Sequence, residues 1–200
     1  MIVLGLTGSA AMGKSATARM FADEGVPVFD ADAEVHRLYD GAAVPPIEAA
    51  FPGTTAGGRV DRERLAAKVF DDPERLARLE AIVHPLVRAA EEKFRAEARA
   101  NGAAVVVLNT PLLLETGGDN RVDAVVVVTA PADVQRARLF ERPGMTEEKF
   151  RAMLARQMAD SEKLERADFV IDTSRGFAAA RADVQSILRR IAEHGPPPRN

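Results

Sequence analysis

The sequence predicts an α/β protein built on a five-stranded parallel sheet with helices on both faces. Three observations carry this. Short, nearly continuous apolar runs recur at Ile2–Leu6, Val26–Phe29, Val105–Leu108, Val125–Val128 and Phe169–Ile171. Continuous rather than alternating apolarity marks strands covered on both faces. The runs are separated by helix-length segments and bounded by turn signals such as Thr129-Ala130-Pro131 and Asp172-Thr173-Ser174. Last, the first run leads into Gly8-Ser9-Ala10-Ala11-Met12-Gly13-Lys14-Ser15 and then the helical stretch Ala16–Ala22. That strand–loop–helix setting is the one in which such a glycine spacing cradles nucleotide phosphates.

Composition bounds the rest. The chain has 200 residues, enough for one domain with a sizeable core. Hydrophobic residues make up 46% and charged residues 28%, as in an ordinary globular protein. The net charge of -3 gives no electrostatic reason to expect a nucleic-acid partner. Cysteine is absent, which excludes disulfides and thiolate metal sites. No apolar run approaches the roughly 20 residues that span a bilayer, and no secretory signal is visible. The expectation is a cytoplasmic protein without a membrane partner, and a monomer.

Between the second and third strands lies a long insertion, about residues 33–103. It contains the amphipathic stretch Arg62–Phe70 behind an Asp61 cap. Asp72-Pro73-Glu74 starts another helix with proline at its first position, and His84-Pro85 opens a third that runs to about Ala100. Pro52–Gly58 reads as a flexible joint. Arg136 to Lys163 is charged and helical, with a hinge at Arg142-Pro143-Gly144. The core is then about 1–32, 104–135 and 164–194, with a lid at about 136–163 and a frayed tail at 195–200.

The chemistry follows from residue types. Gly8 and Gly13 let the loop curl so that the N–H groups of Ser9, Ala10, Ala11 and Met12 can turn inward, and the helix from Lys14 through Ala16 adds its positive end. Lys14 supplies a point charge for the β- and γ-phosphates, and Ser15 a hydroxyl for Mg²⁺. Asp32, with Asp30 nearby, is the candidate base that deprotonates an acceptor hydroxyl. Asp32 can equally be the N-cap of Ala33-Glu34-Val35-His36. His84 can contact substrate or be purely structural. Among Arg136, Arg138, Arg142 and Arg156, a guanidinium can match the charge of a transferring phosphoryl group. Arg142, beside the hinge, is the first candidate and Arg138 the second; the others fit a solvated face paired with Glu141, Glu147 and Glu148. No Asn-Lys-x-Asp guanine reader is present, and the third strand ends in Asn109 instead of an aspartate. Both absences disfavour a GTPase or a mechanochemical ATPase.

Taken in order, several motifs resemble the dephospho-coenzyme A kinase family. They are Gly5-Leu6-Thr7-Gly8 entering the phosphate loop, Val28-Phe29-Asp30-Ala31-Asp32, Ile82-Val83-His84-Pro85-Leu86-Val87 and Pro111-Leu112-Leu113-Leu114-Glu115. Arg138-Leu139-Phe140-Glu141-Arg142, Arg156-Gln157 and Glu162–Asp172 complete the set, which covers about residues 1–190. The resemblance implies a P-loop kinase, three-layer α/β/α, with a helical coenzyme-A-binding insertion and a small lid. It implies transfer of the ATP γ-phosphate to the ribose 3′-hydroxyl of dephospho-coenzyme A, with Mg²⁺. It places the catalytic aspartate at Asp32 and the lid arginine at Arg142. His84, Leu112 and Leu113 fall where the family builds its acceptor cleft.

The sequence departs from the family pattern at three places. The usual loop is Gly-Gly-Ile-Gly-Ser-Gly-Lys; here Ala11 stands at an inner glycine. If that position needs positive φ, alanine costs roughly 1 kcal/mol or more. His36, followed by Arg37, takes the place of a common arginine, and either can contact substrate. Thr173-Ser174-Arg175-Gly176 replaces Asn-x-Gly after the last strand, which passes an adenine contact to backbone groups.

Overall fold

The computed structural model describes residues 1–70, 72–155 and 157–198. In chain order it runs β1 (Ile2–Thr7), α1 (Lys14–Asp23), β2 (Val28–Asp30), α2 (Ala31–Tyr39), α3 (Val44–Ala50), β3 (Thr55–Ala56), β4 (Arg59–Val60), α4 (Arg62–Val69) and α5 (Pro73–Ala100). Then come β5 (Val105–Asn109), β6 (Ala124–Thr129), α6 (Ala132–Phe140), α7 (Glu147–Ala155), α8 (Asp160–Glu165), β7 (Phe169–Asp172) and α9 (Phe177–His194). The five predicted runs form one parallel sheet in the order β2-β5-β1-β6-β7. β1 sits at its centre, pairing Ile2 with Val105 on one side and Leu4 with Ala124 on the other.

The chain divides into two compact units, Met1–Phe29 with Ala98–Asn200, and Asp30–Glu97. In the first, the central strands are buried on both faces, as continuous apolarity requires: Leu4, Leu6, Val107, Val126 and Val128 are all 0% exposed. Helix α9 adds Ala180, Val184, Ile187 and Ile191, spaced to form one stripe. Asp123 and Asp168 stand just before β6 and β7 and close the strand starts. Their carboxylates accept from the N–H of Val3 and Val125, each at 2.7 Å.

The second unit has its own core of Leu38, Ile47, Phe51, Val60, Leu65, Val69, Leu79 and Val83. Asp61 caps α4 as its position predicts, accepting from Arg64 N–H at 3.1 Å. Two expectations fail here. Pro52–Gly58 is not a loose joint: β3 and β4 pair antiparallel within and beyond it, and Glu48 accepts from Gly53 N–H and the Thr55 hydroxyl, both at 2.7 Å. Nor does Pro85 open a helix. It lies inside the 28-residue α5, which begins at Pro73 behind an Asp72 cap. A proline removes one intrahelical bond, and the long amphipathic face that buries Leu79 and Val83 outweighs that single loss.

Candidate active site

The loop between β1 and α1 is built by close approach. Gly8 passes so near β6 that an added Cβ would lie 2.4 Å from the Val128 carbonyl oxygen. Gly13, at φ 93°, packs against Thr173, whose side chain would stand 3.0–3.2 Å from a Cβ. Between them Ala11 adopts φ 60°. That is the left-handed conformation that costs an L-residue roughly 1–2 kcal/mol, so the departure read from the sequence is a real strain. The clash at Gly8 is with rigid backbone. Gly8→Ala is expected to cost about 2–3 kcal/mol and lower the melting temperature by about 5–10 °C, measured by thermal denaturation.

Lys14 opens α1, and its Nζ donates to Asn109 Oδ1 at 2.8 Å. Asn109 is buried at the end of β5. Ser15 is exposed, and its hydroxyl has no hydrogen-bond partner among the described residues. Met12, by contrast, is a core side chain, 2% exposed, so it contributes to the loop through its backbone.

Thr173 is a hub that its position as a mere turn residue does not announce. Its hydroxyl donates to Met12 O at 2.8 Å and lies 3.3 Å from Thr129 O. Arg138 donates to the Thr173 hydroxyl (2.8 Å) and carbonyl (3.0 Å), and reaches Ala11 O at 3.4 Å. Asp172 caps the turn that carries Thr173, and hydrogen bonds from the Ser174 side chain and backbone hold its carboxyl below the usual value. Because the folded value is depressed, this cap contributes fully at neutral pH and is lost as pH falls through it. Behind the loop lies a cavity of about 300 Å³, lined by Gly13, Ala16, Thr17, Arg138, Thr173 and Phe177. Phe177 is 76% exposed at its rim.

The remaining arginines separate. Arg136 is engaged with Glu147 at 2.6 and 3.1 Å and lies over the Phe140 and Phe150 rings, the surface role expected for most of the group. Arg142 is exposed in the turn after α6, without a side-chain partner among the described residues. Arg156 lies outside the described residues.

In the second unit, the cap of α2 is Asp30, which accepts from Ala33 N–H at 2.9 Å. Asp32 is therefore not the cap. It is exposed on the first turn, with no partner among the described residues. His36 Nδ1 lies 3.3 Å from Arg62 Nη1, and Arg37 pairs with Glu34. His84 is exposed on α5. In the turn after β5, Leu112 is 40% exposed whereas Leu113 is 1% exposed, packed over Gly5. Leu113 thus braces the turn and leaves Leu112 as the side chain a ligand can reach.

A buried charged group lies in α8. Lys163, 0% exposed, places Nζ 2.8 Å from Glu115 Oε1, an ion-pair distance without hydrogen-bond directionality. Glu115 also accepts from Met158 N–H at 3.0 Å, and the Thr129 hydroxyl donates to Asp160 at 2.6 Å.

A parallel sheet whose central strand runs into a glycine-bounded loop, with a lysine at the start of the next helix, defines the P-loop fold, here of the kinase type that its structural neighbours share. The chain belongs to the dephospho-CoA kinase family, whose model matches residues 2–179. It is 61% identical over 191 residues to the dephospho-CoA kinase of Mesorhizobium japonicum, covering 96% of this chain and 97% of that one. Among solved structures it is similar to TT1252 from Thermus thermophilus, with 34% identity, 96% of each chain covered and a TM-score of 0.80. It is also similar to the dephospho-CoA kinase of Campylobacter jejuni, with 26% identity, 96% and 97% covered and a TM-score of 0.70.

Proposed function

We propose that this chain is an ATP-dependent phosphotransferase that moves the γ-phosphate to the ribose 3′-hydroxyl of dephospho-CoA, giving CoA and ADP, the last step of coenzyme A synthesis. The observation that supports it most is family membership across nearly the whole chain, together with Gly8, Gly13, Lys14 and Ser15 of the loop motif.

The roles follow from the chemistry of each group. The backbone N–H groups of the Ser9–Ala16 segment, apart from those of Ala10 and Met12, which donate to Gln157 Oε1 and Ser9 O, and the Lys14 ammonium hold the triphosphate. The adenine occupies the cavity between Arg138 and Phe177, where an apolar wall and a guanidinium plane suit a flat base. The Ser15 hydroxyl, exposed and without a partner among the described residues, fits a magnesium ligand. Magnesium neutralises charge on the β- and γ-oxygens when bound. Among the described residues no three His, Cys, Asp or Glu side chains gather to hold a metal; we read the magnesium as the ion carried by the nucleotide. Asp32 takes the acceptor proton, and Arg142 meets the charge that spreads over the transferring group. Leu112, His84 and either His36 or Arg37 bind the acceptor. Residues 33–103 form its binding region and 136–163 the lid. No helix among the described residues is long and apolar enough to cross a membrane, and we read the protein as a cytoplasmic monomer.

The test is ADP release from Mg-ATP with and without dephospho-CoA, with mass analysis of the acceptor. Acceptor-dependent release and one added phosphate at the 3′-hydroxyl are expected. Release that ignores the acceptor, or transfer to a different hydroxyl, would overturn the assignment.

A further inference from the structure

Ala11 is the one non-glycine residue with positive φ among the described residues, and it sits in the middle of the phosphate loop. Something must hold it there, because an alanine released from restraint relaxes to negative φ. The peptide groups around it are pinned by side chains. Gln135 Nε2 donates to Ala10 O at 2.9 Å, fixing the peptide that enters Ala11. Gln157 Oε1 accepts from Ala10 N–H at 3.1 Å. The amide orientations are unambiguous, since a carbonyl can only accept and an N–H can only donate.

These two glutamines are placed by the fold. Gln135 is 6% exposed in α6. Gln157 immediately precedes Met158, whose N–H is held by Glu115, which in turn lies against buried Lys163. They therefore come from two separate segments, α6 and the stretch just before α8, and converge on one loop residue.

We propose that Gln135 and Gln157 are positioning residues that hold the phosphate loop in its strained, nucleotide-ready form, so that its geometry depends on α6 and on the stretch just before α8. This rests on the loop binding ATP. Without either amide, the loop leaves the competent shape in the free protein, and apparent affinity falls by the fraction of molecules that remain competent. With glycine at position 11 the conformation is unstrained, and the bracket becomes redundant.

The test is calorimetric titration of Mg-ATP into Gln135→Met and Gln157→Met, each with Ala11 and with Ala11→Gly. Methionine keeps the volume and removes the hydrogen bond. With Ala11, each variant is expected to bind about tenfold more weakly; with Ala11→Gly the same change is expected to cost about twofold or less. Equal losses in both loops, as direct contact with nucleotide or a general loss of stability would give, overturn the proposal. So does no loss in either. Hydrogen exchange over residues 8–13 without nucleotide separates this idea from the nucleotide reading. Faster exchange in both glutamine variants supports it, and unchanged exchange overturns it, whatever the parent protein binds.

Discussion

Lys14→Ala is expected to lower kcat/KM about 10²–10³-fold, the size of effect that follows loss of one well-placed charge or donor at a transferring group. In the proposed function, the ammonium is the one strong positive charge that the loop motif itself would supply to the β- and γ-phosphates. In the free protein it is already aimed, with Nζ 2.8 Å from Asn109 Oδ1 and its Cα at the first position of α1. The substitution leaves the glycines and the helix start in place, so a folded protein with near-parental secondary structure is expected. Removing the donor to buried Asn109 costs stability on the order of 1–2 kcal/mol. Steady-state kinetics beside a thermal melt separates the two effects. A Lys14→Ala protein with parental kcat/KM would remove Lys14 from the chemistry.

Asp32→Asn is expected to reduce kcat about 10²–10⁴-fold while Mg-ATP binding is retained. Asparagine keeps the shape and loses the basic oxygen. The capping work of α2 belongs to Asp30, so the helix start does not depend on the Asp32 charge. Stability should change by less than about 0.5 kcal/mol, as for an exposed position without partners among the described residues. The contrasting variant is Asp30→Ala, which removes the cap and should cost about 1 kcal/mol of stability. Rapid-quench measurement of the transfer step with calorimetry of Mg-ATP binding decides the matter. Full turnover in Asp32→Asn would leave the base to another group.

The parts of the site that were legible in the sequence are those set by neighbours along the chain. Gly8, Gly13, Lys14 and Ser15 follow from spacing alone, and the structure puts them on the predicted strand–loop–helix. The break at Arg142-Pro143-Gly144 falls between α6 and α7 as its composition predicts. The helix over Arg62–Val69 starts at its predicted aspartate. Choosing between Asp30 and Asp32 as the cap was beyond local pattern, because both are good capping residues two positions apart. The strand end, set by pairing within the sheet, decides for Asp30. The same holds for Leu112 and Leu113, two adjacent leucines of which only packing against Gly5 buries one. Pro85 misled because a proline is a breaker by local rules, whereas the apolar face of α5 holds the helix through it.

By itself, then, the sequence determined a parallel α/β sheet, the position of the glycine-bounded loop after its first strand and the lysine that opens the next helix. All of these arise from periodicity and spacing over fewer than about twenty residues. Only the tertiary structure decided how an alanine comes to sit at φ 60° inside that loop. Its neighbour's partners lie 125 and 147 residues away, on side chains whose burial no local period announces. Hydrogen bonds of that range are created by the packing of whole elements, and the strain they hold in place exists only once the sheet and the segments after β6 have come together.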